Sequence, residues 1–127
     1  LSNLNQVDDT LQSIAGVRTV IVRPPGGYIN DASKAALAKR GTPAVLWSID
    51  TLDWKTRNAQ KTIDTVLSNV KDGDIILMHD LYETSADAAA VLIPELKNRG
   101  YQLVTVSELA SYRGGMQPGH TYSRFRP

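Results

Sequence analysis

The sequence has 127 residues, of which 42% are hydrophobic and 21% charged, as is typical of one globular domain with a buried core. The formal net charge is +1 and the basic residues are scattered, which argues against nucleic-acid binding, because phosphate-binding surfaces need clustered Lys and Arg. There are no cysteines, so disulfides and thiolate metal sites are excluded.

The sequence shows neither a membrane-spanning run nor a signal-peptide pattern. No apolar run approaches the roughly 20 residues that span a bilayer. The polar opening LSNLNQVDDT does not have the basic and then apolar pattern of a signal peptide. Because there is no initiator Met, we expect that Leu1 is not the genetic start.

Helices are predicted where apolar residues recur at helical spacing between capping and stop residues. The second begins at a cap from Asn30 or Asp31 and ends at Gly41. Two more are predicted over 58–70 and 84–99. The apolar face of the first predicted helix consists of Leu4, Val7, Leu11 and Ile14.

Four apolar runs, RTVIV, PAVLWSI, DIILMH and YQLVTV, alternate with these helices and are predicted to be strands. One helix fits between each pair, which predicts an α/β fold of parallel β/α units with right-handed crossovers. A doubly wound sheet and part of a (β/α) barrel both fit this pattern. Ser107 is predicted to cap a last short helical turn, and residues 112–127 to form an irregular tail.

In both architectures, chemistry gathers at the carboxyl ends of the parallel strands. The first three predicted strands are each followed by residues of catalytic type. We therefore expect these side chains to share one rim. They are Arg23 after the first strand, Asp50, Asp53 and Trp54 after the second, and His79 and Asp80 after the third.

His79 and a carboxylate at the neighbouring strand end are placed to pair. A close carboxylate stabilises the protonated imidazole, which can then donate its proton to a leaving group as a general acid. The alternative is an ion pair that only ties two loops together. The pattern of the residues alone leaves both interpretations open.

The segment RPPGGYIN combines stiff prolines with two glycines that let the backbone approach a ligand. An N–H group exposed there could stabilise an oxyanion, and Arg23 could orient a carboxylate. The segment lacks the pattern of a phosphate-binding loop. Trp54 offers a flat apolar face for a sugar ring or an acyl methyl, although it could equally cap the core.

Three segments in order, RPPGGYIN, WSIDTLDW and ILMHD, resemble the third, fourth and fifth motifs of the polysaccharide deacetylases, carbohydrate esterase family 4, also called the NodB homology domain. The downstream stretch IPELKNRGYQLVTVSEL is similar to the closing helix and strand of that family. The resemblance covers nearly the whole chain. It implies a distorted (β/α) barrel and the metal-dependent removal of acetyl groups from polysaccharides.

Carried over by residue, the resemblance implies that His79 is the general acid, that Asp53 pairs with it, and that Arg23 orients the catalytic base. It also implies that the backbone N–H of Gly26 lies in the oxyanion hole. The family commonly has tyrosine at the position of Gly26, which puts the substrate preference in question. The implied substrate-binding residues are Trp54, Leu77 and Tyr28.

Two motifs of the family do not occur in this sequence, namely the early pair of aspartates and the H-x-x-x-H pair. His79 and His120 are the only histidines, so no metal site is expected within this chain. We therefore interpret residues 1–127 as the carboxyl-terminal portion of one deacetylase domain. Its expected partner is an amino-terminal segment that carries the ligands of a divalent metal, zinc or cobalt, and without that segment we expect the chain to be inactive.

The leading hypothesis is N-deacetylation of N-acetylglucosamine units in peptidoglycan or chitin-like polymers, by a secreted or cell-surface bacterial enzyme. The same family also implies O-deacetylation of acetylxylan. A non-catalytic carbohydrate-binding relative is a second class of function. The third is a small flavodoxin-like signalling or cofactor-binding domain, which the missing phosphate loop disfavours.

Overall fold

A computed structural model describes residues 2–127, and Leu1, predicted not to be the genetic start, lies outside the described residues. The chain divides into two compact units. The first contains residues up to 46 together with 116–122, and the second contains 47–115 together with 123–127. Each unit has its own short parallel β-ladder.

The first unit is built from two helices, a 3-10 turn and one ladder. Its elements are α1 (Ser2–Ala15), the turn Pro25–Gly27, α2 (Asp31–Arg40), β1 (Ala44–Val45) and β4 (Thr121–Tyr122). Asn30 caps α2, because its side chain accepts a hydrogen bond from the Ser33 N–H at 2.8 Å. Gly41 ends this helix in the left-handed conformation, with φ of 79°. Both boundaries agree with the sequence pattern.

α1 forms where the helical spacing predicted a helix, but its apolar side chains are not the ones that it buries. Ile14 is 80% exposed, and the buried residue of this helix is Asp8. Its carboxylate accepts hydrogen bonds from the Thr19 N–H at 2.9 Å and from the Thr19 hydroxyl at 2.6 Å, and it pairs with Arg40. These hydrogen bonds compensate the cost of burying the carboxylate, so the buried side of this helix holds a polar cluster that joins it to Thr19 and Arg40.

The second unit contains most of the apolar core. Its elements are β2 (Ile49–Asp50), α3 (Asp53–Thr56), α4 (Ala59–Asn69), β3 (Ile76–Leu77), α5 (Glu83–Asn98) and α6 (Val106–Ser111). The core lies between α4 and α5 and consists of Ile63, Val66, Ala88, Leu92 and Leu96. Both helices lie within one residue of their predicted ends. None of the helices described here combines the length and apolar character needed to pass through a bilayer.

The strands are shorter than predicted, but their direction is as expected. β1 pairs in parallel with β4, and β2 in parallel with β3, where Ile49 lies opposite Ile76. This confirms an α/β fold with parallel strands. The run RTVIV contributes only one bridge, from Val22 to Ala44, and PAVLWSI is divided between β1 and the start of β2. β4 lies within 112–127, a pairing that the sequence did not predict.

The fourth predicted strand, YQLVTV, is wrong, because residues 101–105 form neither a helix nor a strand. A cavity of about 800 Å³ is lined by both 70–76 and 101–104. The third and fourth predicted strands therefore do not pair as a β-ladder. Leu103 is 48% exposed as a result. The predicted cap at Ser107 is also wrong, because α6 begins two residues earlier and Thr105 caps it by accepting from the Glu108 N–H at 3.2 Å.

Candidate active site

Asp53 is held by a tight turn between β2 and α4. The turn is the four-residue helix α3, which has a non-glycine residue in the left-handed conformation on each side, Leu52 with φ of 52° and Arg57 with φ of 45°. Such a conformation costs on the order of 1 kcal/mol for each residue, and it concentrates at functional positions. The turn therefore aims the Asp53 side chain at the expense of backbone strain.

The carboxylate of Asp53 is 1% exposed and accepts four hydrogen bonds. Its Oδ1 accepts from the Trp54 N–H at 2.9 Å and from Nδ1 of His79 at 2.8 Å. Its Oδ2 accepts from the His79 N–H at 2.6 Å and from the Ser85 hydroxyl at 2.7 Å. A carboxylate offers about four acceptor positions, so this buried charge is fully satisfied.

These contacts decide the charge of Asp53 and which ring nitrogen of His79 faces it. Burial raises the pKa of Asp53, but the bonds from Ser85, His79 and Trp54 outweigh it and lower the pKa to about 2. Asp53 is therefore ionised at neutral pH and can only accept hydrogen bonds. The Nδ1 atom of His79 must carry a proton to make its bond to Asp53, which leaves Nε2 to exchange a proton with a ligand.

His79 lies two residues beyond β3, and its side chain is 30% exposed. The strand that carries it is tied to the turn that carries Asp53, because the Thr51 hydroxyl donates to the Leu77 carbonyl at 2.8 Å. The pair thus has a fixed, buried carboxylate on one side and a reachable ring on the other. The carboxylate thus holds Nδ1 of the ring in place while Nε2 stays reachable by a ligand.

Ser85 belongs to this site, and the sequence analysis missed it. It is 3% exposed and lies in the first turn of α5, six residues after His79. A small hydroxyl residue at that place in a sequence is usually assigned to helix initiation, which gave no reason to link it to Asp53. A signal for this role was present in the sequence, because the first turn of α5 directly follows the short loop that begins at His79.

Three further predicted residues lie in the same unit. Trp54 is adjacent to Asp53 and 47% exposed, so its ring is available to a ligand, whereas Leu77 is buried in β3. Asp50 does not pair with His79, since its Oδ1 accepts from the Leu52 N–H at 3.0 Å within the turn. The structure thus pairs His79 with the aspartate that the resemblance pointed to.

The other predicted residues, Arg23, Gly26 and Tyr28, lie in the first unit and are all exposed. The Gly27 N–H donates to the Pro24 carbonyl at 2.9 Å, and the Tyr28 N–H to the Pro25 carbonyl at 3.3 Å. Neither bond uses the N–H of Gly26, the predicted oxyanion donor. Gly26 has φ of 65°, and the Tyr28 ring lies 2.6 Å from the place that a Cβ on Gly26 would occupy.

The described residues do not provide a metal site. Between residues 2 and 127, no group of three or more His, Cys, Asp or Glu side chains could hold a metal ion. The two histidines, His79 and His120, lie in different units. The donor set of the described residues therefore does not fit a divalent metal on its own.

A scan against protein-family models finds no match to the chain. Two curated relatives are similar over most of it. It is 44% identical over 109 residues to the peptidoglycan-N-acetylmuramic acid deacetylase PdaC of Bacillus subtilis, covering 86% of this chain and 23% of the relative. It is 37% identical over 121 residues to the peptidoglycan-N-acetylglucosamine deacetylase PgdA of Listeria monocytogenes, covering 93% of this chain and 25% of the relative.

A solved structure is similar as well. A family 4 acetyl xylan esterase from Clostridium thermocellum, in complex with a cobalt ion, matches 99% of this chain with a TM-score of 0.87 and 26% identity. The match covers 63% of that structure. The chain thus spans about a quarter of the two curated relatives and less than two thirds of this structure.

Proposed function

Because the chain belongs to the polysaccharide deacetylases of carbohydrate esterase family 4, we propose that it supplies the general acid, an oxyanion N–H and the groove wall for the hydrolysis of acetyl groups on a polysaccharide. The observation that carries this proposal is the 2.8 Å contact between Nδ1 of His79 and Oδ1 of the buried Asp53. Likeness to solved structures of the family favours part of a distorted barrel over a doubly wound sheet.

In the proposed reaction, water adds to the acetyl carbonyl and the bond between that carbon and the sugar nitrogen then breaks. The departing nitrogen takes a proton from Nε2 of His79. Asp53 stabilises the imidazolium before this transfer and keeps the ring oriented through Nδ1. The N–H of Gly26 would donate to the oxygen that gains negative charge, and Arg23 would orient the base.

The base and the metal are assigned to a polypeptide segment that precedes this one in the deacetylase domain. The cobalt ion in the acetyl xylan esterase supports a divalent metal, zinc or cobalt, held by that preceding segment. Such an ion polarises the acetyl carbonyl and its bound water. Its ligands are assigned to the amino-terminal segment because the described residues contain no suitable cluster, and this chain would be inactive without that segment.

The proposed substrate is N-acetylglucosamine in peptidoglycan. The names of both curated relatives support peptidoglycan as the polymer, and the name of PgdA supports N-acetylglucosamine, whereas PdaC is named for N-acetylmuramic acid. The choice implies action at the bacterial cell wall by a secreted or surface-attached enzyme. Trp54 would form one wall of the groove, Leu77 would line the acetyl pocket and Tyr28 would contact the polymer. Their exposure supports this for Trp54 and Tyr28, whereas buried Leu77 would act from beneath the pocket.

O-deacetylation of acetylxylan is the second candidate. It is favoured by the match to the acetyl xylan esterase, which covers nearly all of this chain. The acid would then protonate a departing alcohol rather than an amine. Acetate release from peptidoglycan, chitin oligomers and acetylxylan, measured for the full-length protein with and without added zinc or cobalt, separates the two candidates.

The role of His79 is tested by His79→Ala in the full-length protein. We expect deacetylation to fall by about a hundredfold or more, the usual scale for loss of a general acid. His120→Ala is the matched control, because that histidine lies in the other unit and has no assigned role. Near-normal acetate release by the His79 variant would reject the proposal. Loss of activity in both variants would show that the effect is not specific to His79.

A further inference from the structure

The Ser85 hydroxyl is the only side-chain donor to Asp53, among the described residues, that is not part of the reacting pair. The other three hydrogen bonds come from the ring of His79, its own backbone N–H, and the N–H of Trp54, which follows Asp53 in the chain. Ser85 alone comes from α5, the longest helix of the second unit. It therefore joins the carboxylate to an element outside the two strand ends.

The two carboxylate oxygens have different tasks. Oδ1 faces the imidazole, and Oδ2 accepts from the His79 N–H and from Ser85. Rotation of the carboxylate about its Cβ–Cγ bond moves both oxygens together, so a firm hold on Oδ2 also fixes the position of Oδ1. Removing the Ser85 hydroxyl would leave Oδ2 with one donor, and the carboxylate could then turn away from the line of the Nδ1–H bond.

We propose that Ser85 is a positioning residue for the acid: its hydroxyl holds Oδ2 of Asp53 so that Oδ1 stays aligned with Nδ1 of His79. This inference rests on the proposed function, because it assigns Ser85 a task in orienting that acid. Ser85 acts through Asp53 and needs no contact with the substrate.

The local structure of α5 supports a dedicated role. The residue at its N-cap, Tyr82, makes no side-chain capping bond, although a capping bond typically stabilises a helix. A serine in the first turn commonly bonds to nearby backbone, yet the Ser85 hydroxyl donates to the carboxylate instead. Ser85 also heads the hydrogen bonds that lower the pKa of Asp53 against the effect of burial. The Ser85 hydroxyl thus bonds to the Asp53 carboxylate rather than to the backbone of its own helix.

The second unit contains a matched control. The Ser48 hydroxyl donates to Oδ1 of Asp74 at 2.8 Å, and the Asp74 side chain is 3% exposed, but this carboxylate pairs with Arg126 rather than with a histidine. Ser48→Ala therefore removes the same kind of bond to a similarly buried carboxylate, and it also removes the acceptor of the Ile75 N–H at 3.1 Å. A role in stability alone therefore predicts that Ser48→Ala has at least as large an effect as Ser85→Ala.

The test compares Ser85→Ala, Ser85→Thr and Ser48→Ala in the full-length protein labelled with ¹⁵N-histidine. In the parent protein the Nδ1–H signal of His79 should be slow to exchange with solvent. Ser85→Ala should speed this exchange and lower kcat, each by about tenfold, while KM stays within about twofold, because one hydrogen bond commonly accounts for a tenfold effect. Ser85→Thr should restore both values, and Ser48→Ala should leave both unchanged.

Three results would overturn the inference. They are an unchanged Nδ1–H exchange rate in Ser85→Ala, equal effects of Ser85→Ala and Ser48→Ala, and no rescue by threonine. Should the alanine variant not fold, Ser85→Cys replaces it, since a thiol is a weak donor of similar size and should give the same change in exchange. The exchange measurement needs no turnover, so it separates failure of this inference from failure of the acid role, which His79→Ala tests.

Discussion

The hydroxyl of Thr51 donates to the carbonyl oxygen of Leu77 at 2.8 Å in the buried interior of the second unit. Thr51 lies two residues before Asp53, and Leu77 lies two residues before His79. This hydrogen bond therefore sets the distance between the two chain segments that carry the paired side chains. It extends the β2–β3 ladder by one side-chain contact beyond Asp50 and Leu77, the last pair in register.

Replacing Thr51 separates this tie from the packing around it. Thr51→Val keeps the shape and loses the hydrogen bond, whereas Thr51→Ser keeps the hydroxyl and loses a buried methyl. We expect each variant to lower the free energy of unfolding by about 1 kcal/mol, measured by urea denaturation. Only Thr51→Val should also lower kcat, because only that variant releases the segment that carries Asp53. Equal kcat values for the two variants would contradict this role.

The lowered pKa of Asp53 predicts how stability depends on pH. The unfolded state takes up a proton near pH 3.8 and the folded state only near pH 2, so the unfolded state binds more protons between these values. The contribution of Asp53 to stability is thus fully present above about pH 5 and is lost as the pH falls through 2. A difference of this size in pKa corresponds to about 2 kcal/mol.

Asp53→Asn checks this prediction. We expect the variant to be less stable than the parent protein at neutral pH, and the gap in unfolding free energy to narrow as the pH falls from about 5 to 2. Urea denaturation at several pH values gives both curves. Taking the difference between them removes the contributions of Asp8 and Asp74, whose pKa values are also lowered by their hydrogen bonds. Parallel curves would contradict the assignment.

Two glycines of the first unit allow a controlled test of the predicted oxyanion turn. Gly16 and Gly26 have φ of 68° and 65°, so alanine at either should cost about 1 kcal/mol from the left-handed conformation alone. A Cβ on Gly16 meets nothing within 4 Å, whereas one on Gly26 collides with the Tyr28 ring. That ring is 88% exposed and can swing away, so we expect similar losses of stability in the two variants.

Function should distinguish these variants. Gly26→Ala displaces Tyr28 and adds a side chain beside the proposed oxyanion donor, so acetate release should fall by about tenfold or more, within the range seen for damage to an oxyanion hole. Gly16→Ala should leave acetate release unchanged. The Tyr28 ring signals in an NMR spectrum report the displacement directly. Equal activities of the two variants would argue against a role for this turn.

Trp54 gives a test of the groove wall. Because about half of the side chain is exposed, Trp54→Ala should change the free energy of unfolding by no more than about 0.5 kcal/mol. We expect KM for the polymer to rise several-fold with little change in kcat, since a stacking contact of about 1 kcal/mol is lost. Tyr112→Ala, at another exposed aromatic residue of the same unit, should alter neither constant.

The sequence predicted well where a signal is local, or where the fold pattern and a motif together point to the partner. Asn30 and Gly41 mark the ends of α2 because capping geometry depends on a few adjacent residues. The pairing of Asp53 with His79 also followed, since parallel strands bring their carboxyl ends together and the motif chose between two aspartates. The remaining site roles stay predictions.

The sequence predicted poorly where structure depends on a distant partner. YQLVTV has the composition of a strand, but a strand needs a neighbour in register, and residues 101–105 have none in the described part of the chain. Helical spacing likewise predicted α1 itself but could not show that Arg40 and Thr19 would bind Asp8. Ser85 was missed because neither the strand ends nor one of the three motifs linked it to Asp53, and a serine in the first turn of a helix is usually assigned to helix initiation.

All four hydrogen bonds to the Asp53 carboxylate originate between positions 54 and 85 of a single unit. The ionised Asp53 and the residues that bond to it should consequently be transplantable as one contiguous segment. A chimaera that receives residues 47–98 in one piece would inherit the orientation of the imidazole, whereas one joined between 53 and 79 would combine a carboxylate and a ring from different parents. Recombination points in this family should fall outside that interval.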